Sequence, residues 1–347
     1  MPPARHTSRM TVELVPSPAA DCTTDSADPA VDVAALLRVI GRGSRGSRDL
    51  DAAQSQALMR AMLRGDVAEL QLGAVLMALR LKGESADEML GFARAVDETL
   101  PRLDVARPVV VLSSVNGARR LANQVPLLCL QLQRRGIASL VIGDEHADGR
   151  LHTAALWAAL GMPGARGPRE AEDLLGRGEP AYMDLRGLHP GLARLTACRR
   201  LLGVRNVGHT LVKMLFPPSG PGLLLGGYTH GEYGPRMKQV LEARAVPALL
   251  LHGCEGEAVP HPSRRSELAW SRPPAGFDAP GELPGVDGGD LPQLGTELGA
   301  QRDWTREVLA GRAALPDALA AFLDIVAAAI AALPALPALP AQPAPPP

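Results

Sequence analysis

The stretch that decides the fold is AELQLGAVLMALRLKGESADEM, residues 68–89. Apolar residues recur in it at three- and four-residue intervals as far as Lys82, which is typical of an amphipathic helix. A short turn follows, and Ser85 precedes a second apolar run from Ala86 to Leu100 as an N-cap residue does. The stretch therefore predicts two consecutive helices.

Helical periodicity continues toward the N-terminus, over residues 33–40 and 51–63, with a basic Gly-rich turn between these runs. The runs that begin near residues 51, 68 and 86 each follow an Asp or a Ser, the preferred N-cap residues. We therefore predict an all-α domain of about four helices over residues 32–100. Residues 1–31 lack apolar periodicity, and we predict that they are flexible.

After residue 100 short apolar runs alternate with helical runs. Strands are predicted at 108–112, 137–142, 181–185 and 247–251, and helices at 121–133 and 316–333. This order is typical of βαβ units and predicts a parallel or mixed sheet flanked by helices, with ligand-binding loops at the carboxyl ends of its strands. Residues 101–333 thus form a predicted α/β domain, and helices from about 150–200 are candidates to pack on the helical domain.

Two segments in the last quarter of the sequence have unusual composition. Residues 271–303 are rich in Pro, Gly and Asp, and we expect a long exposed loop there. Residues 334–347 consist mainly of Ala and Pro, and we expect a flexible tail.

The composition narrows the function classes. Of the 347 residues 46% are hydrophobic but only 3% are aromatic, which disfavours an aromatic stacking platform. The four cysteines are scattered, so buried thiols are favoured over a zinc site or disulfides. No apolar run reaches membrane-spanning length, and we expect a cytoplasmic protein without a membrane partner.

The charge is unevenly distributed. The formal net charge of −1 argues against a uniformly basic nucleic-acid binder. Residues 181–250, however, contain nine cations and only three acids. Nearly all cations of the chain are arginines, whose planar guanidinium binds phosphate at two points. High-GC codon usage would produce the same preference for arginine, so composition alone leaves the two explanations open.

Two segments carry a resemblance to a known family. Residues 68–89 and the run RRLLGVR, residues 199–205, resemble glycosyltransferase family 3, which includes anthranilate phosphoribosyltransferase and the pyrimidine nucleoside phosphorylases. The resemblance ends near Arg265. It implies a phosphoribosyltransferase-like α/β domain with an N-terminal helical domain, and a homodimer that forms through the helical domain.

The sequence departs from the active enzymes in three motifs. Their Gly-rich pyrophosphate loop corresponds here to SSVNGARR, residues 113–120, with one glycine and two arginines. Their adjacent Asp-Glu pair, which holds magnesium, is replaced by HGCEGE, residues 252–257. Glu255 and Glu257 remain weak candidates as metal ligands, and the pattern favours a solvent-facing turn instead. Their acceptor-pocket motif is replaced by NVGHTLVK, residues 206–213.

This combination resembles the YbiB-type branch of the family. The resemblance implies a catalytically lapsed homodimer that binds nucleic acid, DNA or RNA, through a basic groove with little sequence preference. We expect no catalytic residues and no cofactor. The candidate nucleic-acid-binding residues are Arg42, Arg45, Arg48, Asn116, Arg119, Arg120, Arg199, Arg200, Arg205 and Lys213.

Each group of candidates has a structural alternative. Arg119 and Arg120 are predicted at the start of a helix, where they either grip a phosphate or are merely solvated. The arginines of residues 42–48 recur every three residues, which suits nonspecific phosphate contact and equally an ordinary loop. The cations of residues 199–213 either line the former catalytic cleft or form salt bridges with nearby acids.

Other residues have a simpler interpretation. His209, His230 and His252 lack metal-ligand spacing and are interpreted as core or surface residues. Arg134 and Arg135 end a predicted helix, where cations stabilise the helix dipole, so we interpret both as structural.

Two other functions remain open. One is an active pentosyl or phosphoribosyl transferase with an altered phosphate loop, using Asn116, Arg119 and magnesium held by Glu255 and Glu257. The other is a regulatory subunit that binds a small phosphorylated metabolite.

Overall fold

The computed structural model describes residues 31–43, 45–144, 149–283 and 291–333. The predicted flexible segments 1–31 and 334–347 lie outside these ranges, apart from Val31. Contacts divide the chain into two units, Met1–Val31 and Asp32–Pro347, and the helices and strands of the described residues lie in the second. Within the described ranges, no helix has the length and apolar character needed to span a membrane.

Four helices open the second unit: α1 (Val33–Ile40), α2 (Ala52–Arg64), α3 (Glu69–Lys82) and α4 (Ala86–Thr99). Asp51 and Ser85 begin α2 and α4 with complete capping boxes, in which Gln54 and Glu88 bond back to the cap N–H. The predicted helical domain is therefore confirmed. The predicted Asp or Ser cap is wrong for α3, because its N-cap is Ala68, which makes no side-chain hydrogen bond.

An eight-stranded mixed sheet follows. Its strands are β1 (Val109–Ser114), β2 (Ala138–Gly143), β3 (Gly164–Ala165), β4 (Ala181–Asp184), β5 (Gly222–Tyr228), β6 (Ala248–His252), β7 (Ser266–Ser271) and β8 (Glu282–Leu283). Their order is β3-β4-β2-β1-β5-β6-β7-β8, in which the pairs β6–β7 and β7–β8 are antiparallel and the other pairs are parallel. The central strands are apolar and buried, as in a sheet covered on both faces. The predicted α/β fold is confirmed.

The remaining helices are α5 (Val125–Arg134), α6 (Thr153–Ala159), α7 (Pro168–Gly176), α8 (Leu185–Leu188), α9 (Pro190–Ala197), α10 (Arg199–Leu202), α11 (Val207–Val212), α12 (Tyr233–Ala243), α13 (Leu298–Leu309) and α14 (Asp317–Ala331). α9 packs against α2, and α11 packs against α3 and α4. The helical bundle is thereby joined to the loops that follow the strands. The domain boundaries at residues 100 and 333 remain predictions.

Several elements differ from the sequence prediction, which placed no strand at β3, β7 or β8. α5 begins at Val125 rather than at residue 121, because residues 119–121 form bends and residues 122–124 have no regular secondary structure. Strand β5 was not predicted. The segment 271–303 is not a continuous exposed loop, since it contains β8 and the start of α13, and since Leu283 and Leu291 are buried. Residues 284–290 of that segment lie outside the described ranges.

Candidate functional site

Two loops meet at the carboxyl edge of the parallel sheet. Residues 115–124, here the β1 loop, follow β1, and residues 253–258, here the β6 loop, follow β6. The chain leaves β1 toward β2 on one side, whereas β5 and β6 lie on the other. This reversal of strand order opens a crevice in which open α/β sheets bind their ligands.

Carboxylates of the β6 loop accept hydrogen bonds from the backbone of the β1 loop. Oε1 of Glu257 lies 2.7 Å from the N atom of Asn116 and 2.8 Å from that of Gly117. The two oxygens of Glu255 lie 2.6 Å from the N atom of Arg119 and 2.9 Å from that of Arg120. Four N–H groups of the β1 loop are therefore bonded to carboxylates of the same chain.

The backbone around this contact is tightly constrained. Gly117 has φ 68°, and a Cβ there would lie 2.5 Å from the carbonyl oxygen of Leu151. Glu255 also adopts a left-handed conformation, with φ 52°, which is unfavourable for a residue with a side chain. Nδ2 of Asn116 donates to the carbonyl oxygen of Gly256 at 2.6 Å, so the two loops hold each other in place.

Lys213 lies beneath the two loops and is only 9% exposed. Its Nζ atom donates to the carbonyl oxygens of Gly227 and Gly256, at 2.8 Å and 3.0 Å. Burial lowers the pKa of Lys213 to about 8, while the nearby Glu257 carboxylate opposes this shift and Arg205 adds to it. The predicted contact of Lys213 with nucleic acid thus falls on an ammonium group that already has partners inside the protein.

The residues present do not fit a magnesium ion. A divalent cation needs carboxylate oxygens that are free to coordinate it. Both oxygens of Glu255 and Oε1 of Glu257 instead accept backbone N–H groups. In the part of the chain that the structure describes, no group of three or more His, Cys, Asp or Glu residues is arranged to hold a metal. The weak metal assignment of Glu255 and Glu257 is therefore replaced by a structural one.

A cleft lies between the helical bundle and the sheet. It encloses about 620 Å³ of space, part of which is open to solvent. Arg80 and Glu84 line the bundle side, and Arg205, His209 and Lys213 line the opposite side. Burial raises the pKa of the Glu84 carboxyl, the only acid that lines this cleft among the described residues.

The local fold brings several arginines to this cleft. α10 runs from Arg199 to Leu202. Its C-cap residue, Gly203, has a φ of 73° and reverses the direction of the chain. Asn206 then caps α11, with Oδ1 accepting from the N–H of Gly208. Arg205 is thereby fixed between the end of one helix and the cap of the next.

The arginines act on one another. Burial lowers the pKa of Arg205 to about 10, and the charges of Arg199, Arg150 and Arg80 lower it further, against the single opposing effect of Glu257. We call Arg80, Arg150, Arg199 and Arg205 the arginine cluster. Within the described residues, no member of the cluster forms a salt bridge, and Nη1 of Arg199 is buried without a hydrogen-bond partner. The cluster therefore holds positive charge that the described chain leaves unneutralised.

Several arginines elsewhere in the described chain form salt bridges. Arg60 bonds Glu98, Arg166 bonds Glu170, and Arg244 bonds Asp97 at 2.6 Å. Arg135 forms a salt bridge with Asp324 and Arg134 donates to the carbonyl oxygen of Leu309, in line with their structural interpretation. The cluster differs from these arginines, because among the described residues its members have no salt bridge and only Glu84 and Glu257 are shown as acids that interact with them.

The predicted nucleic-acid-binding residues fall into three places. Arg205 and Lys213 line the cleft, Arg199 is near enough for its charge to act on Arg205, and Arg200 is exposed on α10. Asn116 is buried in the β1 loop. The exposed side chains are Arg119 and Arg120 of the β1 loop and Arg42, Arg45 and Arg48 of the connection between α1 and α2.

Two of these placements differ from expectation. Arg119 and Arg120 precede the first residue of α5 by several positions, so they do not lie at a helix N-terminus as predicted. Arg80 and Arg150 belong to the cluster but were not predicted. Arg80 lies within the stretch that carries the family resemblance, near the end of α3, where its side chain is exposed. A cation in that stretch was the sequence feature that could have marked it as a candidate.

The histidines and cysteines match simple structural roles. His209 is buried and completes the capping box of α11, whereas His230 is exposed. Cys129 and Cys254 are buried, and burial raises the pKa of each thiol to about 12, which disfavours the reactive thiolate. Cys198 is half-buried, and Cys22 lies outside the described residues.

Comparisons with known proteins agree with this architecture. Residues 34–99 match the glycosyl transferase family, helical bundle domain. The chain is 32% identical to the uncharacterized protein YbiB of Escherichia coli (strain K12) over 298 residues, which are 83% of this chain and 91% of YbiB. The chain belongs to the YbiB family. The family resemblance stated from the sequence is thereby confirmed.

This YbiB-family chain is also similar, at lower sequence identity, to anthranilate phosphoribosyltransferases. The anthranilate phosphoribosyltransferase of Symbiobacterium thermophilum is 28% identical over 224 residues, 64% of each chain. The crystal structure of the Thermus thermophilus enzyme matches with a TM-score of 0.62 at 22% identity, covering 82% of this chain and 93% of that one. The Saccharomyces cerevisiae enzyme in complex with phosphoribosyl pyrophosphate and magnesium matches with a TM-score of 0.65 at 16% identity, covering 85% and 86%. These two structures show a shared fold.

Proposed function

We propose that this YbiB-family protein binds nucleic acid through contacts between arginines and backbone phosphates, and that it does not synthesise a nucleotide. The observation that carries the proposal is the arginine cluster, whose charges act on one another and form no salt bridge among the described residues. A buried guanidinium nitrogen without an acceptor, such as Nη1 of Arg199, is costly unless a ligand oxygen completes it. Phosphate oxygens supply that acceptor.

The chemistry of the cluster favours low sequence specificity. Contacts to phosphate position a nucleic acid without reading its bases. Exposed arginines on the α1–α2 connection, on the β1 loop and on α10 would extend the contact beyond the cleft. Because such binding releases counterions, the affinity should fall steeply as salt rises.

Fluorescence anisotropy with a labelled random-sequence oligonucleotide, measured across a salt series, tests the proposal. We expect Arg199→Ala/Arg205→Ala to weaken binding and to reduce the slope of log K against log salt by roughly 0.7–0.9 for each phosphate that the variant no longer neutralises. The matched control is Arg166→Ala/Arg177→Ala, which removes two exposed arginines paired with Glu170 and Glu179. Absence of binding by the wild type at low salt, or equal slopes for the two double variants, would contradict the proposal.

A second candidate function is phosphoribosyl transfer, which the sequence match to anthranilate phosphoribosyltransferase favours. For this function a substrate pyrophosphate would have to displace Glu255 and Glu257 from the N–H groups of the β1 loop. An assay with phosphoribosyl pyrophosphate, anthranilate and magnesium distinguishes the candidates. We expect no product above background. If product forms and its formation depends on the β1 loop, phosphoribosyl transfer becomes the favoured function.

We also propose that the protein is a homodimer through its helical bundle. Leu70 and Leu81 on α3 are 88% and 80% exposed, and Leu201 on the adjacent α10 is 89% exposed. Residues eleven positions apart share one face of a helix, so an apolar stripe runs along α3. A second copy would bury this stripe.

Light scattering after size-exclusion chromatography tests the dimer. We expect Leu70→Glu/Leu81→Glu to halve the measured mass, whereas Leu298→Glu on α13 leaves it unchanged. A monomeric wild type, or a dimer that persists in the double variant, would contradict this interface.

A further inference from the structure

His189 bonds the helical bundle to the start of α9, and its side chain is buried, with 4% of the residue exposed. The Nδ1 atom accepts the N–H of Leu192 at 3.2 Å, so the imidazole caps the N-terminus of α9. The Nε2 atom lies 3.0 Å from Oγ1 of Thr99, the last residue of α4. One ring therefore connects two helices that are about 90 positions apart in the chain.

These contacts require a neutral imidazole in one tautomer. Because the backbone N–H of Leu192 is a donor, Nδ1 must present its lone pair, and the proton of the neutral ring lies on Nε2. Nε2–H then donates to the hydroxyl of Thr99, which itself donates to the carbonyl oxygen of Val96 at 3.4 Å. Both ring nitrogens are thus used by bonds that only the neutral form makes together.

A second proton on the ring opposes this arrangement. It would occupy Nδ1 and meet the N–H of Leu192, so the cap of α9 would be lost. The resulting cation would also lie at a helix N-terminus, where the helix dipole disfavours positive charge. Burial lowers the pKa of His189 below its ordinary value of 6.5, and hydrogen bonds to the backbone of His189 and Val96 oppose this shift without cancelling it.

The surrounding elements supply no carboxylate to hold an imidazolium. α2, α8, α10 and α11 pack against α9, and α4 contributes its last turns. None of the charged or titratable groups of these elements is among the causes of the pKa shift of His189. These groups are Arg60, Arg64, Arg94, Asp97, Glu98, Asp184, Arg186, Arg194, Cys198, Arg199, Arg200 and His209. The two acids at the end of α4 are already paired, Asp97 with Arg244 and Glu98 with Arg60.

We propose that His189 is a pH-sensitive latch, in which the neutral imidazole fastens the start of α9 to the end of α4 and protonation releases it. Cys198 joins α9 directly to α10, whose first residue is Arg199, so release would extend toward the arginine cluster. The latch goes beyond the proposed function, because it depends on the bonds of the ring and on no ligand.

Two variants isolate the latch from other titrating groups. His189→Asn supplies a preferred N-cap side chain that does not titrate. His152→Asn is the matched control, because His152 also lies at an N-cap position, that of α6, but makes no side-chain hydrogen bond to its helix. The comparison with wild type therefore subtracts the pH dependence that the rest of the chain contributes.

Urea denaturation at pH 7.5 and pH 5.5 gives the first test. Since the folded pKa of His189 lies below 6.5, its contribution to stability is complete above that pH and is lost as the pH falls toward the folded pKa. Between the two pH values we expect the unfolding constant of the wild type to rise at least about threefold relative to His189→Asn. His152→Asn should follow the wild type. Equal pH dependence of the wild type and His189→Asn would overturn the proposal.

The second test uses the wild type alone and therefore does not depend on the folding of a variant. NMR follows the imidazole nitrogens of His189 and the amide of Leu192 as the pH is lowered, with the amide of Val111 in β1 as the reference for the folded sheet. We expect the Leu192 amide proton to move to lower chemical shift together with protonation of Nδ1, while Val111 keeps its folded signal. A Leu192 amide that changes only when Val111 does would show global unfolding without a latch and would overturn the proposal.

Discussion

The β1 loop and the arginine cluster handle charge in opposite ways. In the β1 loop, four N–H groups are bonded to the carboxylates of Glu255 and Glu257. In the cluster, the arginines lower the pKa of Arg205, and none has a salt-bridge partner among the described residues. Anion-binding capacity is therefore satisfied internally at the loop and left open at the cleft. The comparison explains how a transferase-like fold could favour a different anionic partner.

The largest expected effect is on stability at the β1 loop. Glu257→Ala leaves two N–H groups without their acceptor and deprives the buried Lys213 of its nearby negative charge. We expect the free energy of unfolding to fall by about 3 kcal/mol or more. Urea denaturation measures it, and Glu282→Ala should change the value by less than about 0.5 kcal/mol. Equal stability of the two variants would mean that the carboxylate is not integral to the loop.

The sequence was informative where a pattern is local. Ser85 and Asp51 predicted helix starts because an N-cap acts within one turn, and apolar runs predicted β1, β2, β4 and β6. β5 contains Gly226 and Gly227, which weaken a strand pattern. A Cβ at Gly227 would lie 2.6 Å from the carbonyl oxygen of Glu257, so this glycine is needed for the close approach of the β6 loop.

The site was less predictable than the fold. Glu255 and Glu257 were identified as notable residues, but their partners lie about 140 positions away in the chain. No spacing rule connects a carboxylate to backbone N–H groups at that separation, so the sequence suggested a solvent-facing turn or a weak metal site instead of this contact. The burial of Lys213 and the place of Arg150 in the cluster likewise depend on packing between distant segments.

The second effect is a pH dependence that belongs to Lys213. The folded pKa is lowered to about 8 from an ordinary value of 10.5, so between these values the unfolded chain binds more protons. Stability therefore rises with pH across this window and gains nothing from this group below it. We expect the wild type to gain about 2 kcal/mol relative to Lys213→Met between pH 8 and pH 9.5. Urea denaturation at the two pH values measures this, and identical pH dependence of the two proteins would contradict it.

The third effect sharpens the comparison at the cleft. Arg199→Met keeps the apolar part of the side chain and removes a buried nitrogen without a partner and a charge that acts on Arg205. We expect the free energy of unfolding to rise by about 1 kcal/mol while oligonucleotide binding weakens. Thermal unfolding and anisotropy on the same samples measure both. A loss of stability would indicate that Arg199 has a structural partner.

The smallest effect is expected at Arg119 and Arg120. Their side chains are exposed, and Glu255 is held by their backbone N–H groups, which any substituted residue retains. We expect Arg119→Ala/Arg120→Ala to change the free energy of unfolding by less than about 0.5 kcal/mol and to weaken oligonucleotide binding slightly. Chemical denaturation measures the first quantity, and Glu255→Ala, which removes the acceptor, should cost more. The reverse order would contradict the backbone role assigned to the loop.

Amide hydrogen exchange with and without a short random-sequence oligonucleotide tests the central claim most directly. It reports on both regions in one experiment, because bound phosphate protects the backbone that carries its contacts. The predicted result is strong protection over residues 199–213 and near Arg80, with much weaker protection at residues 116–120. Protection confined to residues 116–120, or none anywhere, would contradict the claim that anion binding lies at the arginine cluster rather than at the β1 loop.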